Sequence, residues 1–411
     1  LSLFERYRRL SLGGRILAFM AVGVAAGLAL GERAAAIEPL GEIFIRLLMM
    51  AALPLVFFNL LAALSGMSDA RLLGRLGLSI FLFYALNIAI AVALGITLTS
   101  WLRPGDGITL KEPAPTVAAP PALGDVLTDL VPTNVVQAFA EGKIAQIVVF
   151  TVLLGVASLL LPEERRARLD GLFRSAAEAF RSLVSIVLLI APFGIGALAA
   201  VTVGRYGTYL FGPLARFLGA VYLGHGLVAA LYAASVALFA RTSPIAFFRS
   251  TGTLYATAAA TCSSLASLAV ALDLAEKRLG LPRAVYSFTL PLGAQIGKAG
   301  TAVMLASVVL FTAQASGIEL DAAILVKVFV VGFILSMSSA GIPGGGLVTA
   351  FVFVQSFGLS LEVAAIVGGM YRLIDVGNTT VNCAGAMVGT FLVSRTEGLQ
   401  ALSETAPSSP G

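Results

Sequence analysis

Ser336-Met337-Ser338-Ser339-Ala340-Gly341-Ile342-Pro343-Gly344-Gly345-Gly346 decides the fold of this chain. Its flanks are apolar, but its centre is Ser, Gly and Pro, residues that end helices rather than continue them. In lipid every backbone donor and acceptor must be paired, so non-helical backbone is tolerated only where protein buries it or where it lines a cavity. The break therefore marks a cavity. Kinked helices packed through small residues are the alternative, and they account for isolated glycines better than for Gly-Ile-Pro-Gly-Gly-Gly.

A second break lies upstream at Thr261-Cys262-Ser263-Ser264-Leu265-Ala266-Ser267, again between apolar arms too short to span comfortably. Arg249 before it and Lys277, Arg278 and Arg283 after it put both ends at the inner surface, which describes a re-entrant hairpin entered from the cytoplasm. By parity the ends of the Ser336–Gly346 hairpin face outside. Each hairpin is followed by a longer segment with its own interruption, expected at Gly293–Thr301 and at Asp375–Gly389. Inverted repeats of broken helices meeting near the midplane are a signature of secondary transporters, where helix ends offer dipoles and free backbone groups to the ligand.

The rest of the chain agrees. With 58% hydrophobic and 12% charged residues over 411 positions, the apolar excess cannot be hidden in a water-soluble core and belongs in a bilayer. Apolar runs long enough to cross occur at about 15–32, 40–65, 75–102, 144–161, 175–202 and 208–240. Arg6, Arg8, Arg9, Arg71, Arg75, Arg165, Arg166, Arg168, Arg174, Arg241 and Arg249 fall in alternate loops, against Arg33, Arg103, Lys111 and Arg205 in the others, so the N-terminus is expected in the cytoplasm. That bias and anionic lipid account for the net charge of +5 without nucleic acid. Residues 104–132, with Pro113, Pro115 and Pro120-Pro121, read as an external loop, and Ser403–Gly411 as a disordered tail. The first apolar run is expected to be a retained helix, not a cleaved signal. Cys262 and Cys383 read as small buried residues, and His225 as a packed histidine or a proton relay.

At these residues the chain resembles the glutamate transporter homologue family, the dicarboxylate/amino acid:cation symporters. Pro39-Leu40-Gly41 and Pro54-Leu55-Val56-Phe57-Phe58 look like its second helix, and Val131-Pro132-Thr133-Asn134 like the lead into its fourth. Tyr286 to Gly293 matches the start of the seventh, Ser339 to Gly344 the second hairpin tip, and Asp375-Val376-Gly377 through Thr379 and Asn382 the eighth. The resemblance implies an all-α membrane protein of eight transmembrane helices and two re-entrant hairpins, a homotrimer of elevator-type transporters. Residues 1–73 and 104–206 would form the scaffold with the external loop, 74–103 and 207–395 the moving transport domain, and 396–411 a cytoplasmic tail. It also implies residence in the inner membrane with both termini cytoplasmic, an amino-acid substrate, no cofactor and no enzymatic step.

Departures from the family pattern bear on coupling. Its seventh helix normally reads Asn-Met-Asp-Gly-Thr; here the stretch is Gly297-Lys298-Ala299-Gly300-Thr301, and a further sodium-binding Asp is replaced by Ala386. Asn87 and Ile88 stand where the family has a Thr-Ser pair. Hard cations need oxygen ligands, commonly carboxylates, so tight sodium coupling is not expected, although a site of backbone carbonyls around Ser336, Met337 and Ser339 could survive. A buried ammonium is costly in a membrane, and Lys298, with Thr301 and Asp375, is the expected coupling element, its amine standing where sodium would and able to release a proton. A lysine facing an aqueous crevice is the alternative.

Asp375 falls on the family position that binds a substrate's α-ammonium, and Asn382 on one that donates to its carboxylate. Ser263, Ser264, Ser339, Gly341, Pro343 and Thr379 complete the expected site. Acidic-substrate members place an Arg where this chain has Asn378, so a small neutral or polar amino acid is expected; Arg372 keeps glutamate, aspartate or a dicarboxylate as the alternative. A channel is the rival from another class. Intramembrane proteolysis lacks a Ser–His pair near either break and a second Asp facing Asp375.

Overall fold

The computed structural model describes residues 12–65, 73–108, 128, 131–141, 144–318, 320–341 and 343–396, which are helical almost throughout with no strand among them. The helices are α1 (Leu12–Leu30), α2 (Glu38–Ser65), α3 (Leu73–Leu102), α4 (Val135–Ala140), α5 (Ile144–Leu159), α6 (Glu163–Leu189), α7 (Ala191–Tyr206) and α8 (Phe211–Leu238). Then follow α9 (Pro244–Ser250), α10 (Gly252–Thr261), α11 (Ser264–Lys277), α12 (Arg283–Ile296), α13 (Ala299–Ala315), α14 (Ala322–Ser338), α15 (Gly345–Ser356) and α16 (Leu361–Thr396). Among the described residues four helices are long and apolar enough to cross a membrane, five if a bent pair counts as one. Most of the expected external loop, the basic N-terminus and the tail lie outside the described residues.

Several starts are dictated locally. Asn134, Ser243, Ser263 and Asp321 each accept a backbone N–H with a side-chain oxygen at the head of a helix, at 3.2, 3.4, 3.1 and 2.8 Å, satisfying donors that have no partner within the helix. The single span expected at about 175–202 is instead two helices, α6 and α7, bent by 56° at Ile190; Pro192 near the start of α7 cannot donate to the preceding turn.

Small residues set the helix spacing. A Cβ on Gly23 of α1 would overlap the backbone of Gly196 on α7, and one on Gly95 of α3 would stand 2.6 Å from the Val303 carbonyl of α13, so both pairs pack backbone to backbone. Helix α13 is buried from Ala299 to Ala313 on every face, the mark of a helix at the centre of a bundle. Met304, Leu305 and Val308 face a core shared with α2, α6, α14 and α15. Ala302, Val303 and Ala306 face another, shared with α3, α8, α10 and α12.

The two breaks read from sequence are present. Helix α10 ends at Thr261 and is capped by Cys262, which is left-handed at φ 49°, and α11 starts at Ser264; the two helices pack against each other. Helices α14 and α15, also in contact, are separated by Ser339 to Gly344. The interruption expected within Gly293–Thr301 is the non-helical pair Gly297-Lys298 between α12 and α13. The one expected at Asp375–Gly389 is absent, because α16 runs unbroken for 36 residues. Its glycines serve packing: a Cβ on Gly377 would meet His225 Nδ1 at 2.6 Å, and Gly385 and Gly389 abut Tyr232 and Phe83.

Candidate substrate site

Both helix pairs bring their turns to the break between α12 and α13 and to the middle of α16. Ser263 Oγ donates to the Gly341 carbonyl at 2.9 Å, and the Leu265 N–H reaches the same oxygen at 3.2 Å, so the second turn rests on the first turn of α11. Across the break, Asn382 Oδ1 accepts from the N–H groups of Gly300 and Thr301 at 2.8 and 3.4 Å, while its Nδ2 donates to Thr301 Oγ1 at 2.9 Å. Two of the orphan donors at the head of α13 are thus held by one carboxamide. Asn382 is held by the helix it caps.

Asp375 is 6% exposed. Its Oδ1 accepts from the Tyr371 hydroxyl at 2.9 Å and its Oδ2 from the Gly344 N–H at 3.4 Å. Gly344 is the residue that caps the start of α15, and a carboxylate is favoured at a helix N-terminus by the free N–H groups and the dipole. Among the described residues Asp375 forms no ion pair with Lys298 or Arg372. Arg372, half-buried and three residues earlier on the same face of α16, donates to the Ala260 carbonyl at 3.0 Å, near the C-terminal end of α10, where a cation is favoured. One face of α16 therefore holds the first turn through a cation and the second through an anion. Both side chains, with Thr261, Pro343, Gly344 and Tyr371, line a cavity of about 310 Å³ that Leu188 and Ile195 of the bent pair also line.

Lys298 is 2% exposed. Its Nζ donates to the Ala294 carbonyl at 2.7 Å and reaches Ser264 Oγ at 3.4 Å, so it lies in protein rather than in an aqueous crevice. Ala386 packs against Gly293 beside Tyr84, and Asn87 spends its amide on the Phe83 carbonyl of its own helix at 2.7 Å; both positions singled out for lost sodium ligands are packed. Ser336, Met337 and Ser339 are all buried. The Ser336 carbonyl accepts the Ser339 N–H at 3.3 Å, and the Ser336 hydroxyl donates to Gly332 at 2.6 Å. Thr379 is buried beside Asn378.

Two groups received too little weight from sequence alone. His225 Nε2 lies 3.1 Å from the Gly300 carbonyl and 3.0 Å from Asn378 Oδ1; both neighbours are acceptors, so Nε2 carries the hydrogen. His225 Nδ1 and Asn378 Nδ2 have no partner among the described residues. Tyr371 was legible as the residue four before Asp375, on the same helical face.

The family model of the sodium:dicarboxylate symporter family matches residues 12–396. The chain is 30% identical to a C4-dicarboxylate transport protein of Rhizobium leguminosarum over 92% of its own length and 87% of that protein's. It is 28% identical to proton/glutamate-aspartate symporters of Bacillus subtilis, over 93% of this chain and 94% of the relative, and of Escherichia coli, over 88% and 85%. These relatives are named for C4-dicarboxylates and for glutamate and aspartate. With its apolar helices, paired turns and matched length, this multi-pass membrane protein belongs to the sodium:dicarboxylate symporter family.

Proposed function

We propose that the protein is a secondary transporter of an acidic amino acid, aspartate or glutamate, coupled to a cation. The observation that carries this reading is that Arg372 and Asp375 line one cavity of about 310 Å³ from the same face of α16. A guanidinium suits a carboxylate and a carboxylate suits an ammonium, so the pair matches a charged amino acid rather than an apolar one. Arg372 offsets the missing cation at Asn378, whose oxygen is committed to His225. A dicarboxylate would set one of its own carboxylates against Asp375, whose neighbours are a hydroxyl and a backbone N–H. Like charges at such a distance repel.

In this reading the proton, and not sodium, is the coupling ion, Lys298 and Thr301 stand at the coupling site, and the carbonyls of Ser336, Met337 and Ser339 serve the turn instead of a metal. The protein works as a homotrimer in the inner membrane with both termini cytoplasmic, and the paired helices are re-entrant hairpins. They travel with α3, α8, α12, α13 and α16 against a scaffold that includes α1, α2, α6 and α7, and Ser339-to-Gly344 is the outer gate. The glycine-mediated contact of α1 with α7 supports a rigid scaffold.

Uptake of labelled L-aspartate into proteoliposomes, with an inward proton gradient and unlabelled competitors, tests the substrate. Aspartate and glutamate are expected to compete, serine and alanine not; competition by the neutral pair alone overturns the acidic reading. Counterflow of label against its gradient is expected of a carrier, and its absence at high flux would mark a channel.

A further inference from the structure

Lys298 is among the largest side chains that the protein buries completely, and its ammonium stands where three chain segments end. Ala294 lies in the last turn of α12, where carbonyls lack an intrahelical partner, and its oxygen takes the ammonium at 2.7 Å. Ser264 opens α11, and its hydroxyl lies 3.4 Å away. The third segment is the second turn: an ideal Cβ on Gly341 would stand 3.2 Å from Nζ and 2.9 Å from the Ala294 oxygen. The Gly341 carbonyl is in turn held by Ser263 and Leu265. Thus the cation sits at the seam between the turns, on the carbonyl end of a broken helix. The charged and titratable groups around it are Asp375 and Cys383 from α16 and Arg181 from α6; Arg181 also reaches Gln295, next to Ala294, at 3.3 Å. A free sodium ion in this seam would have to displace the ammonium from the carbonyl or stand beside it as a like charge.

We propose that the Lys298 ammonium is a tethered monovalent cation that closes the second turn onto the first, so that closure of this seam requires no sodium. Being covalent, it cannot leave with the substrate, and no sodium ion binds in this seam. The proposal deepens the transporter reading, but it concerns the turns without substrate, so an error in the assigned amino acid leaves it standing.

The test is hydrogen–deuterium exchange of the full chain in lipid nanodiscs, without substrate, on peptides spanning the two turns. In wild type, exchange is expected to be equal within about twofold in sodium chloride and choline chloride. Lys298→Met is expected to speed exchange at the second turn about tenfold in either salt. Ethylammonium added to Lys298→Ala should restore at least part of the protection, and ethanol, equally small but uncharged, should not. Protection of the wild-type turns by sodium beyond about threefold over choline overturns the proposal, as does a folded Lys298→Met protein as protected as wild type. The wild-type comparison decides by itself if the variants do not fold.

Discussion

Ser263 Oγ donates to the Gly341 carbonyl at 2.9 Å, joining residues 78 positions apart, while accepting the Ala266 N–H at 3.1 Å. One hydroxyl thereby caps α11 and docks the second turn on the first. Ser263→Ala removes both bonds. Capping and a buried hydrogen bond are each worth about 1 kcal/mol, so the variant should lose roughly 2 kcal/mol in a thermal or denaturant melt of the detergent-solubilised protein. Protection at the second turn should fall more than at α3.

Asn382→Ala should be costlier. It strips partners from Gly300, Thr301 and the Thr301 hydroxyl, and each buried polar group left unpaired costs about 1–3 kcal/mol. Asn382→Asp keeps the acceptor for both N–H groups, and its thermal midpoint should lie nearer to wild type than that of Asn382→Ala.

Gly377→Ala and Gly385→Ala should each destabilise by about 1–3 kcal/mol, because the added Cβ meets His225 or Tyr232. Gly219 on α8 has nothing within 4 Å of an added Cβ. Gly219→Ala should be neutral or stabilising by up to about 1 kcal/mol, through helix propensity alone. Parallel melts of the three variants test whether close approach, not chain flexibility, fixes these glycines.

Arg372→Gln and Asp375→Asn separate the two ends of the substrate. Loss of a charge-assisted contact costs about 1.5–3 kcal/mol, or about 10- to 150-fold in affinity. The first should raise the KM for aspartate while sparing a neutral amino acid, if one is carried at all. The second should weaken every amino acid, since all share the ammonium. Tyr371→Phe should weaken binding less than Asp375→Asn. Equal loss for acidic and neutral substrates in Arg372→Gln would place the guanidinium outside the site.

Much of this was legible in the chain itself. The apolar excess and the glycine and serine breaks determined a membrane protein of helices with paired turns, because lipid allows unpaired backbone only at protected breaks. Lys298 and Asp375 could be singled out since charges in apolar segments are rare and costly. Only the tertiary structure decided what those residues touch. Gly377, Gly385 and Gly389 read as a break in α16 until His225, Tyr232 and Phe83, remote in sequence, proved to need their bare backbone. Asn382 could be placed on the substrate by resemblance, but only the fold brought it to the head of α13, where it caps two N–H groups and meets the Thr301 hydroxyl. Composition and period report how one segment meets its solvent. Hydrogen bonds between residues 78 or 82 positions apart depend on how segments meet one another, and local pattern does not encode that.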